Sequence, residues 1–152
     1  MKNVRTGGPA SRKIAAMMTV RCYLAPSSIE GLGVFCHEPI RKGDTVWRFD
    51  PRFDQKLPRA LVEDADPVMR EFLERYGYDH LDHPDHLFLD ADEGRFMNHA
   101  DQPNTDFKGA DFGIALRDIP AGEELTCDYR EFTFGELHMQ PSRHRVAALA
   151  AE

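Results

Sequence analysis

The chain has 152 residues, which is enough for one domain with a hydrophobic core of its own. Hydrophobic residues make up 41% of the chain and charged residues 30%, the balance of an ordinary soluble globular protein. Its three cysteines form no Cys-x-x-Cys pair, which argues against a disulfide scaffold or a zinc ribbon. We therefore expect a reducing, cytoplasmic location, and no apolar run is long enough to predict a membrane span.

Charge is distributed unevenly along the chain. Residues 1–29 contain five Lys or Arg and no Asp or Glu, which leaves 14 basic against 26 acidic residues for the remainder. A body this acidic repels a phosphate backbone, so we expect no direct binding to nucleic acid. It attracts basic polypeptides, although solubility is the usual reason for surface acid.

Three regions follow from the composition. We predict a flexible basic N-terminal segment over residues 1–18, one domain over residues 19–135 and a C-terminal tail over residues 136–152. The apolar patch at residues 14–18 is too short for a typical targeting leader, so we expect an untargeted start.

The domain is predicted to consist mainly of short strands. Runs rich in β-branched and aromatic residues predict strands at residues 19–24, 45–49, 87–90, 105–108, 112–116 and 125–129. A loop is predicted at residues 51–58. Strands and helices do not alternate, which disfavours a doubly wound parallel sheet.

One helical insert interrupts the strands at residues 58–76. Asp66 followed by Pro67 forms a typical helix cap and first turn, and Gly77 ends the run. Apolar residues recur at helical spacing at Val68, Phe72 and Leu73. The predicted fold class is therefore mainly β with a small helical insert.

Residues 79–86 (DHLDHPDH) are a candidate metal site, because imidazoles and carboxylates are good metal ligands. Pro84, however, prevents a single helix from presenting His80, His83 and His86 on one face. Without a second cluster of ligands, a solvated loop is the favoured interpretation, and we predict no metal site. A metal-binding protein built on this loop remains a third functional hypothesis.

Residues 95–104 (RFMNHADQPN) are too polar for a core strand and too short for a helix. Asn98 offers one acceptor and two donors from its side-chain amide, and a neutral His99 adds one ring nitrogen of each kind. Pro103 fixes its own φ and disfavours a helical Gln102. An ordinary turn is the alternative, since Asn, Asp and Pro are turn residues.

Two further segments accompany this stretch, GLGVF at residues 31–35 and ALRDIPAGEELTCDY at residues 115–129. The Gly-x-Gly alone is weak evidence, because it lacks the third glycine of a dinucleotide fingerprint. Together, the three segments resemble the SET domain of protein-lysine methyltransferases, from about residue 21 to residue 129. The resemblance implies a SET-type β-clip of short curved sheets, in which the C-terminal segment threads under a preceding loop as a pseudoknot.

The resemblance also implies a cofactor, S-adenosylmethionine, and methyl transfer to the side-chain amine of lysine in a protein. By resemblance, Gly31, Leu32 and Gly33 lie against the cofactor through their backbone. Asn98 is implied to hydrogen-bond the amino-acid end of the cofactor, and His99 to sit beside the adenine. The substrate is expected to be a protein or peptide with an exposed lysine, basic in character because the domain is acidic.

Tyr129 is the implied catalytic residue, with its hydroxyl at the point of methyl transfer. The attacking lysine must be neutral, although its ordinary pKa is near 10.4, and an apolar channel next to a sulfonium lowers that pKa. The tyrosine hydroxyl is itself protonated at neutral pH. We therefore assign Tyr129 to orientation and electrostatics rather than to full general-base catalysis.

The chain departs from many family members because it has no cysteine after Cys127 and so lacks the cysteine-rich module that completes the site. Phe132 and Phe134 are predicted either to cover adenine or wall the channel, or to pack the chain end against the core. Cys127 stands where the family usually has Phe or Tyr, and the smaller side chain favours di- or trimethylation. Tyr76 and Tyr78 are further candidates for the channel wall.

The leading hypothesis is thus an S-adenosylmethionine-dependent protein-lysine methyltransferase. The alternative is a non-catalytic SET-like module that binds a basic peptide or a partner protein. A homodimer that shares its lysine channel is open under either hypothesis.

Overall fold

The computed structural model describes residues 17–109 and 111–137. The strands are β1 (Met17–Met18), β2 (Cys22–Pro26), β3 (Leu32–Cys36), β4 (Thr45–Arg48), β5 (Gln55–Pro58), β6 (Tyr78–Asp79), β7 (His86–Leu89), β8 (Asn98–His99), β9 (Thr105–Asp106), β10 (Phe112–Ala115) and β11 (Glu124–Cys127). The helices are α1 (Arg59–Glu63) and α2 (Pro67–Tyr76). Most of the predicted basic segment and the tail beyond residue 137 lie outside the described residues. Within them, no helix combines the length and apolarity needed to cross a membrane.

The strands form three small sheets, in the orders β1-β4-β10-β9, β2-β3-β11-β8 and β5-β7-β6. Every pairing between these strands is antiparallel except that of β8 with β11. The prediction of a mainly β domain with a small helical insert is confirmed.

One hydrophobic cluster joins the two four-stranded sheets. Val34 of β3 and Leu125 of β11 are fully buried beside Val46 and Trp47 of β4. Val46 and Trp47 are consecutive and both buried, so β4 is covered on both of its faces at this point. Ile119 lies in the same cluster and bridges Ile40, so two turns of similar sequence meet in the core.

Several predicted boundaries are wrong. Residues 51–58 are not all loop, because β5 pairs with β7 along four residues. Met17 and Met18, which precede the strand predicted at residues 19–24, form β1 against β4. The last strand ends at Cys127, and Tyr129 begins a 3-10 turn whose cap, Asp128, accepts from the Arg130 backbone N–H. Each of these pairings depends on a partner distant in sequence, which local composition does not reveal.

The helical insert consists of two helices rather than one continuous run. Asp66 caps α2 as predicted, since its side chain accepts a hydrogen bond from the Met69 backbone N–H at 2.9 Å. Gly77 also ends α2 as predicted, but with a negative φ. A Cβ at that position would lie 2.4 Å from Leu87 Cδ2, so close packing requires the glycine there.

Only one apolar residue of the predicted helical repeat is buried. Leu73 is 2% exposed, whereas Val68 is 80% exposed and Phe72 is half-exposed. Leu73→Ala is therefore expected to lower the free energy of unfolding by about 2–5 kcal/mol, through lost transfer energy and a residual cavity. Val68→Ala is the matched control on the same helix and should change it by less than about 0.5 kcal/mol. Urea denaturation measures both, and equal losses would contradict this assignment of the buried face.

Candidate active site

The only parallel strand pair among the described strands brings two distant segments of the chain together. Asn98 faces Thr126 and His99 faces Cys127 along β8 and β11. The Ala100 backbone N–H continues this contact by donating to the Cys127 carbonyl at 3.0 Å. Since Tyr129 follows β11 directly, this pairing places it beside the Asn-His segment, as the resemblance implies.

Tyr129 contacts the Asn-His segment in three ways. Its hydroxyl donates to the Met97 carbonyl oxygen at 2.6 Å, and its backbone N–H donates to His99 Nδ1 at 3.2 Å. The rings of Tyr129 and His99 also lie 5.4 Å apart between centroids. Burial raises the pKa of the Tyr129 hydroxyl well above its ordinary value, because the phenolate loses its hydration. The hydroxyl is therefore a neutral donor at physiological pH.

The side chain of Asn98 ties β8 to the Gly-x-Gly loop. Its Nδ2 lies 3.0 Å from the Glu30 carbonyl oxygen, 3.1 Å from that of Leu32 and 2.8 Å from Glu124 Oε1. All three partners are acceptors, so this arm of the amide must be the NH₂ group. The loop whose backbone is implied to lie against the cofactor is thereby held against β8.

The two glycines of this loop are required for different structural reasons. Gly31 has a φ of +47°, a conformation that other residues adopt only with strain. Gly33 provides room, since a Cβ there would lie 2.2 Å from Glu124 Oε1 and 3.1 Å from the Ser27 Cβ. The close approach at Gly33 is therefore to a side chain of the same protein.

Phe132 packs among three aromatic rings, including that of Tyr129. Its ring centroid is 5.7 Å from that of Tyr129, 5.6 Å from that of Tyr78 and 6.4 Å from that of Phe107. Phe134 is 42% exposed and is fixed through its backbone N–H. These contacts favour the interpretation that Phe132 packs the chain end against the core, while a role at the adenine stays a prediction.

The two candidate channel tyrosines occupy different places. Tyr78 packs edge-on against Phe132, one ring removed from Tyr129, and its hydroxyl donates to Asp90 Oδ1 at 3.0 Å. Tyr76 instead packs against Phe96, with ring centroids 5.4 Å apart. The structure thus brings Tyr78 closer to the catalytic candidate and leaves Tyr76 on the helical insert.

A family model for the SET domain matches residues 31–130. The chain belongs to the SET-domain family. A Plasmodium falciparum protein assigned as a histone methyltransferase superposes with a TM-score of 0.52 at 22% identity, over 72% of this chain and 96% of the other. A humanized mutant of the Chaetomium thermophilum Polycomb Repressive Complex 2, bound to the inhibitor GSK126, gives a TM-score of 0.54 at 23% identity. That match covers 76% of this chain but 16% of the larger one. These similarities confirm the predicted SET-type fold.

Two further residues of the SET domain, which the sequence analysis did not assign, hold the candidate site together. Asn104 is 2% exposed and fastens the loop after β8 to β11, because its Nδ2 donates to the Glu124 carbonyl at 2.7 Å and its Oδ1 accepts from the Thr126 backbone N–H at 2.8 Å. Glu124 holds Asn98 through its side chain. The two residues belong to the motifs at residues 95–104 and 115–129, but only the three-dimensional contacts show which segments they join.

Arg95 is another residue of the SET domain that sequence reasoning left without a role. Its guanidinium stacks over the Phe96 ring at 5.2 Å and over the Tyr76 ring at 6.0 Å. Its Nε is buried without a hydrogen-bond partner, and within residues 17–109 and 111–137 Arg95 forms no ion pair. Only the Nε of this half-buried side chain lacks a partner, and the charge of Arg95 also acts on the nearby Asp90 carboxyl group. Burial of a donor without a hydrogen bond is unfavourable. This orphaned donor fits a ligand that carries a carboxylate.

The prediction that residues 79–86 form a solvated loop is wrong for His80. His80 is 4% exposed, stacks on Phe88 at 4.8 Å and accepts from the Asp82 backbone N–H. Its other ring nitrogen lies 3.4 Å from Asp111 Oδ1. Across the described part of the SET domain, no three His, Cys, Asp or Glu side chains group as metal ligands would. His80 is thus a core residue with both ring nitrogens engaged.

Asp90 is a buried carboxyl group next to the site. Burial and the nearby charge of Asp54 raise its pKa to about 8, whereas an unfolded Asp titrates near 3.9. The folded state therefore keeps a proton that the unfolded state loses. The free energy of unfolding is expected to fall as the pH rises from about 4 to about 8, by at most about 1.4 kcal/mol per pH unit.

Asp90→Asn isolates this effect, because Asn cannot ionise and still accepts from the Tyr78 hydroxyl. The stability of the variant relative to the wild type should increase steadily between pH 5 and pH 8 in urea denaturation. Parallel pH profiles for the two proteins would show that Asp90 keeps an ordinary pKa in the folded state.

Proposed function

We propose that the protein is an S-adenosylmethionine-dependent methyltransferase that acts on the side-chain amine of lysine in a protein. The observation that carries the proposal is the contact between the Tyr129 hydroxyl and the Met97 carbonyl, directly beside Asn98 and His99. Membership of the SET-domain family and the likeness of the fold to a histone methyltransferase support it.

The residues around this contact fit the cofactor. Asn98 and the loop at Gly31 supply hydrogen-bonding groups for an amino-acid moiety, and the orphaned Nε of Arg95 suits its carboxylate. His99 presents a ring next to Tyr129, which suits a flat base. When bound, S-adenosylmethionine supplies an electrophilic methyl group on a sulfonium.

The protein's own contribution is positioning and electrostatics. The Tyr129 hydroxyl donates its proton to the Met97 carbonyl, so the lone pairs of the hydroxyl oxygen are free to accept from the attacking amine. Because burial keeps this hydroxyl neutral, it orients the amine rather than removing its proton. Phe132 packs against Tyr129 and Tyr78 packs against Phe132, so these rings supply apolar surface beside the hydroxyl-bearing ring.

The degree of methylation and the substrate belong to the same proposal. Cys127 is 4% exposed, and burial raises the pKa of its thiol, so it is a small neutral side chain two positions before Tyr129. The room it leaves favours di- or trimethylation. We further propose a basic, lysine-containing target such as a histone tail, which complements the acidic domain, and a cytoplasmic location consistent with three free cysteines.

Methyl transfer is tested with S-adenosylmethionine labelled in its methyl group and a panel of basic proteins. We expect label in protein, released as dimethyl- or trimethyllysine on acid hydrolysis, and binding of the cofactor by isothermal titration calorimetry. Label in other amino acids would contradict the reaction. A peptide that binds to the protein, together with no detectable cofactor binding, would establish the non-catalytic module instead.

A further inference from the structure

The Gly-x-Gly loop, β11 and β8 meet at the carboxylate of Glu124. The Ser27 hydroxyl lies 2.9 Å from Glu124 Oε1 and 2.8 Å from Oε2, and it accepts from the Ile29 backbone N–H at 2.9 Å. Because a hydroxyl has one proton, that proton points to the carboxylate. Ser27 therefore closes the turn of the loop and at the same time fastens it to Glu124.

Glu124 reaches this position because Gly33, two residues before its register partner Phe35 on β3, has no side chain. It lies on β11, and its carboxylate occupies the space that a side chain at Gly33 would need, 2.2 Å from the Cβ position. From there Oε1 accepts from Asn98 Nδ2 at 2.8 Å. One carboxylate thus serves two donors, Ser27 and Asn98, on two separate segments.

This arrangement permits only one orientation of the Asn98 amide. A flip by 180° would place Oδ1 against the Glu124 carboxylate and the carbonyl oxygens of Glu30 and Leu32, all of which are acceptors. With the observed orientation, Oδ1 is on the opposite arm of the amide and takes no part in the network. It presents an acceptor, which matches a donor such as an ammonium group and not a carboxylate.

We infer that Glu124, held by Ser27, is a positioning residue that fixes Asn98 so that its Oδ1 accepts from the α-ammonium group of S-adenosylmethionine. This inference rests on the proposed function, because it names the chemistry that the Asn98 amide selects. A carboxylate suits the task since its two oxygens engage both donors without rotating. Glu124 itself does not touch the reacting atoms.

Calorimetric titration of S-adenosylmethionine into the full chain tests the inference. Glu124→Ala is expected to raise the Kd at least about 10-fold, with kcat at saturating cofactor changed by less than about twofold. Glu124→Gln should stay within about threefold of the wild type, because its oxygen can accept from Asn98 and its NH₂ group can donate to Ser27. A Gln variant as weak as the Ala variant would overturn the inference in favour of a simple effect of charge.

A double-mutant cycle separates positioning from general damage. If Glu124 acts through Asn98, then Glu124→Ala in an Asn98→Ala background should change the Kd by less than about threefold. If the two substitutions instead raised the Kd by independent factors that multiply, the inference would be overturned. Should Glu124→Ala lower the folded fraction, Ser27→Ala replaces it in the cycle, with an expected loss of about 3- to 10-fold that disappears when Asn98 is absent.

The same titrations distinguish this inference from the proposed function. A wild-type protein that binds no S-adenosylmethionine would overturn both. Cofactor binding that Glu124→Ala leaves unchanged would overturn only the positioning role, because methyl transfer is measured separately. The expected Kd changes in a protein that transfers no label would support the positioning role and overturn the methyltransferase activity.

Discussion

Tyr129→Phe is expected to reduce the rate of methyl transfer about 10²- to 10³-fold, the loss that follows removal of one preorganised polar group from an active site. The variant keeps the ring that packs against His99 and Phe132 and loses only the hydroxyl that donates to Met97. Single-turnover kinetics at saturating S-adenosylmethionine measure the chemical step. The Kd for the cofactor should stay within about threefold of the wild type.

Tyr23→Phe is the matched control, because it removes the same hydroxyl from a tyrosine on β2 that packs against Phe35. It should transfer methyl groups at the wild-type rate. The wild type should also show no change in rate from ionisation of Tyr129 between pH 7 and pH 10, because burial raises the pKa of that hydroxyl. Undiminished transfer by the Phe variant would remove Tyr129 from the reaction.

Asn104→Ala is expected to lower the free energy of unfolding by about 3 kcal/mol or more. The change leaves the Thr126 backbone N–H and the Glu124 carbonyl buried without the partners that Asn104 provides, and each such group costs about 1–3 kcal/mol. Chemical denaturation monitored by the fluorescence of Trp47, which is buried in the same domain, reports the loss.

Gln102→Ala tests whether the effect belongs to Asn104 or to its loop. Gln102 is exposed two residues earlier, so its loss should change stability by less than about 0.5 kcal/mol. If the two variants were equally stable, the contacts of Asn104 with β11 would carry no net energy. A loss of stability confined to the Asn104 variant would establish that Asn104 holds the loop after β8 against β11.

The sequence predicted which residues lie together at the candidate site better than it predicted the contacts that hold them in place. Asn98, His99 and Tyr129 could be expected to lie together because their motifs are specific, and the structure places the two segments in contact. Their roles stay a prediction. Glu124 and Ser27 could not be linked, because the carboxylate meets the hydroxyl only after β3 and β11 have paired. The burial of His80 was missed for the same reason, since it depends on a ring on β7 and on Asp111.

The parallel pairing of β8 with β11 has a consequence for how the candidate site forms and is lost. During synthesis, the glycine loop and Asn98 leave the ribosome before β11 and Tyr129. The candidate site cannot form until that last strand is available. Contacts so distant in sequence also slow folding. In the folded protein, detachment of β11 would displace the Tyr129 hydroxyl, the support of Asn98 and the core residue Leu125 in one event. A partly opened form that keeps half of the candidate site is therefore not expected, and the proposed cofactor, if bound there, should protect the whole domain from unfolding.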